Sequence, residues 1–151
     1  MPPFGYIQFC VRNRAACRDT AGKLAMAGHN KVKLTKQLEK QLAPVNQNVN
    51  SSMRPRRDGP SDRWAVGGRA GDCEDFAMTK RARLIAAGWP SSALSITVVR
   101  TRSGEGHAVL SVHTSQGTLV LDNLSKSVRP LRRVPYKIVA MQTGSPMQWR
   151  R

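Results

Sequence analysis

The hydrophobic pattern changes its period near the middle of the 151-residue chain. Leu34, Leu38, Leu42, Val45 and Val49 recur three or four positions apart, the spacing of one helix face. Asn30 is suited to cap a helix starting at Lys31. Pro44 lacks an amide N–H, so it should kink or restart that helix, giving pieces over 31–43 and 44–53. A further helix is expected over 73–87. Phe76, Ala77, Leu84 and Ala87 would face inward, and Lys80, Arg81 and Arg83 would face water. Gly88 stops it and Pro90 follows. Beyond Pro90 the segments 95–101, 107–114, 118–122 and 136–142 are rich in Val, Ile and Thr and are split by Gly-containing turns, which predicts strands. Helices first and strands later indicate an α+β fold with an antiparallel sheet.

The flanking segments are less regular. Residues 1–29 carry Pro2, Pro3 and several glycines and are expected as an N-terminal arm with one short helix near residues 14–18. The domain proper is expected over 30–151. Residues 54–71 are rich in Arg, Gly and Pro and predict a loop. Trp64, the large apolar residue there, either anchors the loop or lines a cleft. No internal repeat is apparent.

Charge narrows the partners. The chain has 25 Lys and Arg against nine acids, a formal net charge of +16. Such a balance suits an acidic partner, nucleic acid included, or a solvated surface. The bases divide 13 to 12 between residues 1–70 and 71–151, and aromatics make up 5 % of the chain. Spread charge and sparse rings argue against a base-stacking platform. No stretch approaches the ~18 apolar residues of a membrane span. The start, MPPFGYIQFC, does not read as a secretory leader, so the protein is either cytoplasmic or numbered from beyond a removed one. Cys10 and Cys17 either form a disulfide, which implies an oxidising compartment, or remain free thiols; Cys73 is then left over.

The chemistry gathers at Cys73. In GDCED, Asp72, Glu74 and Asp75 place three of the nine acids within four residues of the chain. Asp72 suits an N-cap and Asp75 the reciprocal position of a capping box. A cysteine at a helix N-terminus has its thiolate favoured by the exposed N–H groups. Nearby carboxylates oppose that, because like charge raises a thiol's pKa. A protonated histidine or a hard cation such as Ca²⁺ is needed to offset them.

Of the three histidines, His29 sits in the polar arm and His113 lies six positions along the strand from His107. His107 opens its strand and is the better candidate base. Asp122 closes the apolar run TLVLD and could orient it. His107 and Asp122 share a sheet face only when paired residue numbers sum to an odd value. A two-residue turn at Ser115 and Gln116 meets that condition. It sets Asp122 opposite Val109 and diagonal to His107, about 7–8 Å away between backbones. A three-residue loop needs a bulge to do the same.

Together, GDCEDFAMTKRARLIAAGWP and GEGHAVLSVHTSQGTLVLDNL resemble the bacterial transglutaminase-like cysteine proteinases, which include periplasmic proteases that release surface adhesins. The resemblance covers roughly residues 44–149. It implies a papain-like, transglutaminase-like fold, with the nucleophile at a helix N-terminus packed on an antiparallel sheet. It also implies a triad of Cys73, His107 and Asp122, and calcium dependence involving Asp72, Glu74 and Asp75. A periplasmic location, a protein substrate and a regulatory receptor at the inner membrane belong to the same expectation. Transglutaminase-like acyl transfer is the nearest alternative activity, and a non-catalytic basic binding module is the alternative from another class.

Overall fold

The computed structural model describes residues 1–56, 63–68 and 70–151. Its helices are α1 (Phe4–Arg12), α2 (Lys36–Ser52) and α3 (Cys73–Ala86). Strands β3 (Leu94–Arg100), β4 (Gly106–Thr114), β5 (Gly117–Leu121), β6 (Arg129–Pro130), β7 (Lys137–Thr143) and β8 (Ser145–Arg150) form an antiparallel sheet ordered β6-β5-β4-β3-β7-β8. Two short strands, β1 (Arg54–Pro55) and β2 (Ala70–Gly71), pair in parallel and bring together the ends of the loop expected over 54–71. Part of that loop, residues 57–62 and 69, lies outside the described residues. Among the described residues no helix is long and apolar enough to cross a membrane.

Strands β3, β4, β5 and β7 fall within a residue or so of the expected segments, and β3, β4 and β5 bury rows of Val, Ile and Leu; β6 and β8 were not expected and carry no such row. Leu94, Ile96, Leu110, Val112 and Leu121 meet α3 residues Ala77 and Leu84 in the main core. Helix α3 ends as expected. Gly88 takes φ of 100°, Gly88 N–H donates to the Ile85 carbonyl at 3.0 Å, and Trp89 N–H donates to Leu84 at 3.0 Å. This is a Schellman turn, in which glycine relieves the left-handed position.

Four expectations need correction. The helix of the Leu stripe does not begin at Lys31. Residues around Val32 are extended and bridge Met26 and Thr114, with Val32 N–H donating to the His113 carbonyl. Thr35 is the cap, accepting from Leu38 N–H at 3.2 Å. The helix then runs unbroken through Pro44. Burial of Leu42, Asn46 and Val49 on either side outweighs the missing hydrogen bond.

The arm is not wholly irregular either. Helix α1 buries Tyr6 and Phe9 in the main core, where Tyr6 meets the rings of Trp64 and Trp149 edge-on at 5.5 and 5.3 Å. Each such burial contributes about 1.5–3 kcal/mol. Trp64 is therefore an anchor, 2 % exposed. Lastly, Lys80 and Arg81 do not face water; they are 1 % and 2 % exposed, whereas Arg83 and Ala87 are exposed. Arg81 donates to the Ala16 carbonyl at 3.1 Å, which ties α3 to the arm.

Candidate active site

The N-terminus of α3 is built as the sequence suggests. Asp75 N–H donates to Asp72 Oδ1 at 3.3 Å, and Asp72 N–H donates to Asp75 Oδ2 at 3.2 Å, completing a capping box. Asp75 Oδ1 also accepts Ala65 N–H at 2.7 Å, so this buried carboxylate fastens the loop around Trp64 to the helix. Gly71 is required here because any Cβ would stand 2.7 Å from Asp75 Oδ2. The cap fixes Cys73 at the first helical position, half-buried and free of any disulfide. Cys10 and Cys17 are joined, with Cα atoms 5.6 Å apart.

Across from this helix tip, β4 supplies His107, the residue expected as base. The turn between β4 and β5 has two residues, with Thr114 opposite Gly117, so the sheet has the parity that puts His107 and Asp122 on one face. The His107 Nε2 to Asp122 Oδ1 distance is 2.8 Å, and both side chains are buried. Helix α3 packs against β4, and the backbone of Ala108, the residue after His107, lies near enough to the Cys73 thiol to act against the rise in its pKa. The three chain segments thus meet at one place. With Nε2 committed to Asp122, Nδ1 is the ring nitrogen left for proton exchange.

Asp122 is held from several sides. Tyr136 Oη donates to its Oδ2 at 2.6 Å, Leu124 N–H donates to Oδ1 at 3.0 Å, and Asn50 Nδ2 donates to its backbone carbonyl at 3.0 Å. Burial alone would raise its carboxyl pKa. The hydrogen bonds from His107, Tyr136 and Leu124 outweigh that and hold it below the usual carboxylate range. Tyr136 pays the reverse shift: burial and the adjacent carboxylate keep its phenol protonated. Its ring also meets His107 edge-on at 5.5 Å. Sequence reasoning placed Tyr136 only at a strand start and did not foresee its role.

The thiol is held in its protonated form. Burial pushes the Cys73 pKa up, and the Glu74 charge and hydrogen bond push it further, with the sulfur 3.2 Å from Glu74 Oε2. The expected conflict between thiol and acids is therefore present, and Glu74 carries most of it. The acids are oxygen donors of the type calcium takes. They do not form a closed cage. Among the described residues no three His, Cys, Asp or Glu side chains gather to hold a metal, and Asp75 is engaged in the cap.

The remaining histidines do not join the site. His29 is exposed. His113 lies between the hydroxyls of Ser95 and Thr118, at 2.8 and 2.9 Å. Burial, then the charge of Lys31, lower its pKa.

The description "bacterial transglutaminase-like cysteine proteinase" fits residues 1–151 by family model. This chain belongs to that family. The bacterial transglutaminase-like cysteine proteinases are cysteine peptidases, and three structures of LapG from Legionella pneumophila resemble this member. The calcium-bound LapG is 30 % identical, with a TM-score of 0.63, over 69 % of this chain and 64 % of LapG. The EGTA-treated form is 30 % identical, with a TM-score of 0.60, over 69 % and 62 %. A third is 29 % identical, with a TM-score of 0.61, over 71 % and 66 %. The match thus spans less than two thirds of the calcium-bound and EGTA-treated chains. No curated protein sequence matches this member of the family.

Proposed function

We propose that this protein is a thiol endopeptidase in which Cys73 is the nucleophile, His107 the base and Asp122 the group that orients the base. The observation that carries the reading is the 2.8 Å His107–Asp122 contact, made from the strand against which α3, the helix headed by Cys73, packs. His107 takes the thiol proton and sulfur adds to a peptide carbonyl. His107 then returns the proton to the leaving amine, and water hydrolyses the acyl-enzyme. Asp75 and Phe76 N–H groups are taken by Asp72, so the Cys73 and Glu74 N–H groups are the first-turn donors outside the cap. They are placed to hold the oxyanion. Acyl transfer to an amine passes through the same acyl-enzyme and differs only in the acceptor.

Calcium dependence belongs to this proposal, with Asp72, Glu74 and Asp75 as the residues that would hold the ion. Similarity to a calcium-bound and an EGTA-treated LapG supports it. Bound there, calcium would offset the negative charge that, added to burial, keeps the thiol protonated. The Cys10–Cys17 disulfide supports an oxidising, periplasmic compartment. A surface adhesin as substrate and an inner-membrane regulatory receptor rest on the family resemblance.

Incubation with candidate adhesins, with calcium or EGTA, tests the reading. Cleavage is expected with wild type in calcium and not with Cys73→Ala. Equal cleavage by Cys73→Ala would remove Cys73 from the chemistry.

A further inference from the structure

Charge is divided unevenly around the site. Four of the nine acids, Asp72, Glu74, Asp75 and Asp122, belong to the site itself, whereas residues 123–151 hold seven Lys and Arg and no acid. Lys126, Arg129, Arg132, Arg133 and Lys137 follow one another along the segment that leaves the site at Asp122 and returns to it at Tyr136. Leu124 N–H donates to Asp122 Oδ1 near one end of that segment, and Tyr136 Oη donates to Asp122 Oδ2 near the other. All five basic side chains are exposed, and among the described residues none of them is in an ion pair.

A free loop could spread such like charges apart, but this one is held. Strand β6 pairs with β5 as the edge of the sheet. Helix α2 grips the start of the segment: the fully buried Asn46 donates from Nδ2 to the Ser125 carbonyl at 2.8 Å, and Asn50 Nδ2 donates to the Asp122 carbonyl at 3.0 Å. Fixed like charges repel one another, a cost that an acidic partner offsets. Between α2 and the segment lies a cleft of about 610 Å³, whose lining includes the amides of Gln47, Asn50 and Asn123, the hydroxyls of Ser51 and Ser125, and Lys126. Amides and hydroxyls both donate and accept hydrogen bonds, as an extended peptide backbone requires.

We propose that Lys126, Arg129, Arg132, Arg133 and Lys137, together with this cleft, form a docking surface for an acidic segment of the polypeptide substrate, beside the bond to be cut. The inference rests on the reading of Cys73, His107 and Asp122 given above and adds a substrate class to it. Asp72, Glu74 and Asp75 at the helix tip repel an acidic chain. The basic segment supplies the attraction that brings such a chain to the same site and fixes its register there.

Binding of a fluorescein-labelled glutamate oligomer, read by fluorescence anisotropy, tests this at physiological ionic strength, where surface charges act over about 8 Å. Wild type should bind. Arg132→Glu combined with Arg133→Glu should weaken binding about tenfold, as two exposed attractions turned to repulsions would. Lys126→Glu alone should weaken it about threefold. Lys36→Glu combined with Lys40→Glu makes the same change of charge on exposed residues at the far end of α2, and should leave binding within about twofold. Equal weakening by the two pairs would reduce the effect to net charge and overturn the proposal, as would binding indifferent to both the arginine pair and Lys126→Glu. Saturating oligomer should also slow Cys73 alkylation by iodoacetamide severalfold; an unchanged rate would place the surface away from the site and overturn the proposal. Vesicles containing phosphatidylglycerol probe a membrane instead: an arginine pair needed for vesicle binding but not for the oligomer would likewise overturn it. Failure of the catalytic reading looks different. Alkylation would then be indifferent to His107→Ala, while oligomer binding would keep its dependence on the arginine pair.

Discussion

His107 and His113 sit six residues apart on one face of β4, and their neighbours give them opposite tasks. His107 bonds a carboxylate that Tyr136 and a backbone N–H hold in place. His113 bonds two hydroxyls, and burial and Lys31 disfavour its charged form. A carboxylate partner stabilises an imidazolium; hydroxyl partners in a buried setting stabilise the neutral ring. The same side chain thus faces a carboxylate at one end of the strand, as the proposed base requires, and is a latch at the other. Strand position alone does not distinguish them.

Removing each partner breaks or sharpens that contrast. His107→Ala should slow Cys73 alkylation by about 10²- to 10⁴-fold in calcium, the usual contribution of a positioned base. His113→Gln should leave that rate within about twofold. Next in size is Tyr136→Phe. Losing a hydrogen bond to a charged group costs about 1.5–3 kcal/mol, so alkylation should fall roughly tenfold or more if that energy orients Asp122. The fold should persist by circular dichroism.

The effect of Glu74→Gln should be of opposite sign. It removes the charge that raises the thiol pKa, so alkylation in EGTA should speed up severalfold, about tenfold per pKa unit relieved. An unchanged rate in EGTA would leave burial as the cause of the raised thiol pKa. The smallest effect belongs to the latch. His113→Gln should cost about 1 kcal/mol of stability by urea denaturation. It should also alter the pH dependence of stability. The folded pKa of His113 lies below its unfolded value near 6.5. Its contribution is therefore fully present above pH 6.5 and is lost as pH falls through the folded value. Wild type should lose stability across that window and the variant should lose less.

Local pattern made some of this molecule legible and left the rest hidden. The capping box, the helix stop at Gly88 and the β4–β5 hairpin are decided by residues a few positions apart, and all three stand as the sequence implied. The joining of Cys10 to Cys17, open from sequence, depends on how α1 turns into the segment after it. Helix α1 was hidden because Tyr6 finds its partners, Trp64 and Trp149, far along the chain. Burial of Lys80 and Arg81 runs against residue type, and only tertiary packing reveals it. Tyr136 reaches Asp122 across 14 positions and an irregular segment, with no periodicity to announce the contact. Its one sequence signal is a phenol at the mouth of a strand.

The rate of Cys73 alkylation by iodoacetamide at pH 6.5 in calcium, set against free cysteine and the His107→Ala variant, tests the central claim most directly. A Cys73 coupled to His107 should react faster than free cysteine at that pH, and the advantage should vanish in the variant. Reaction no faster than free cysteine, with the same rate in both proteins, would contradict it.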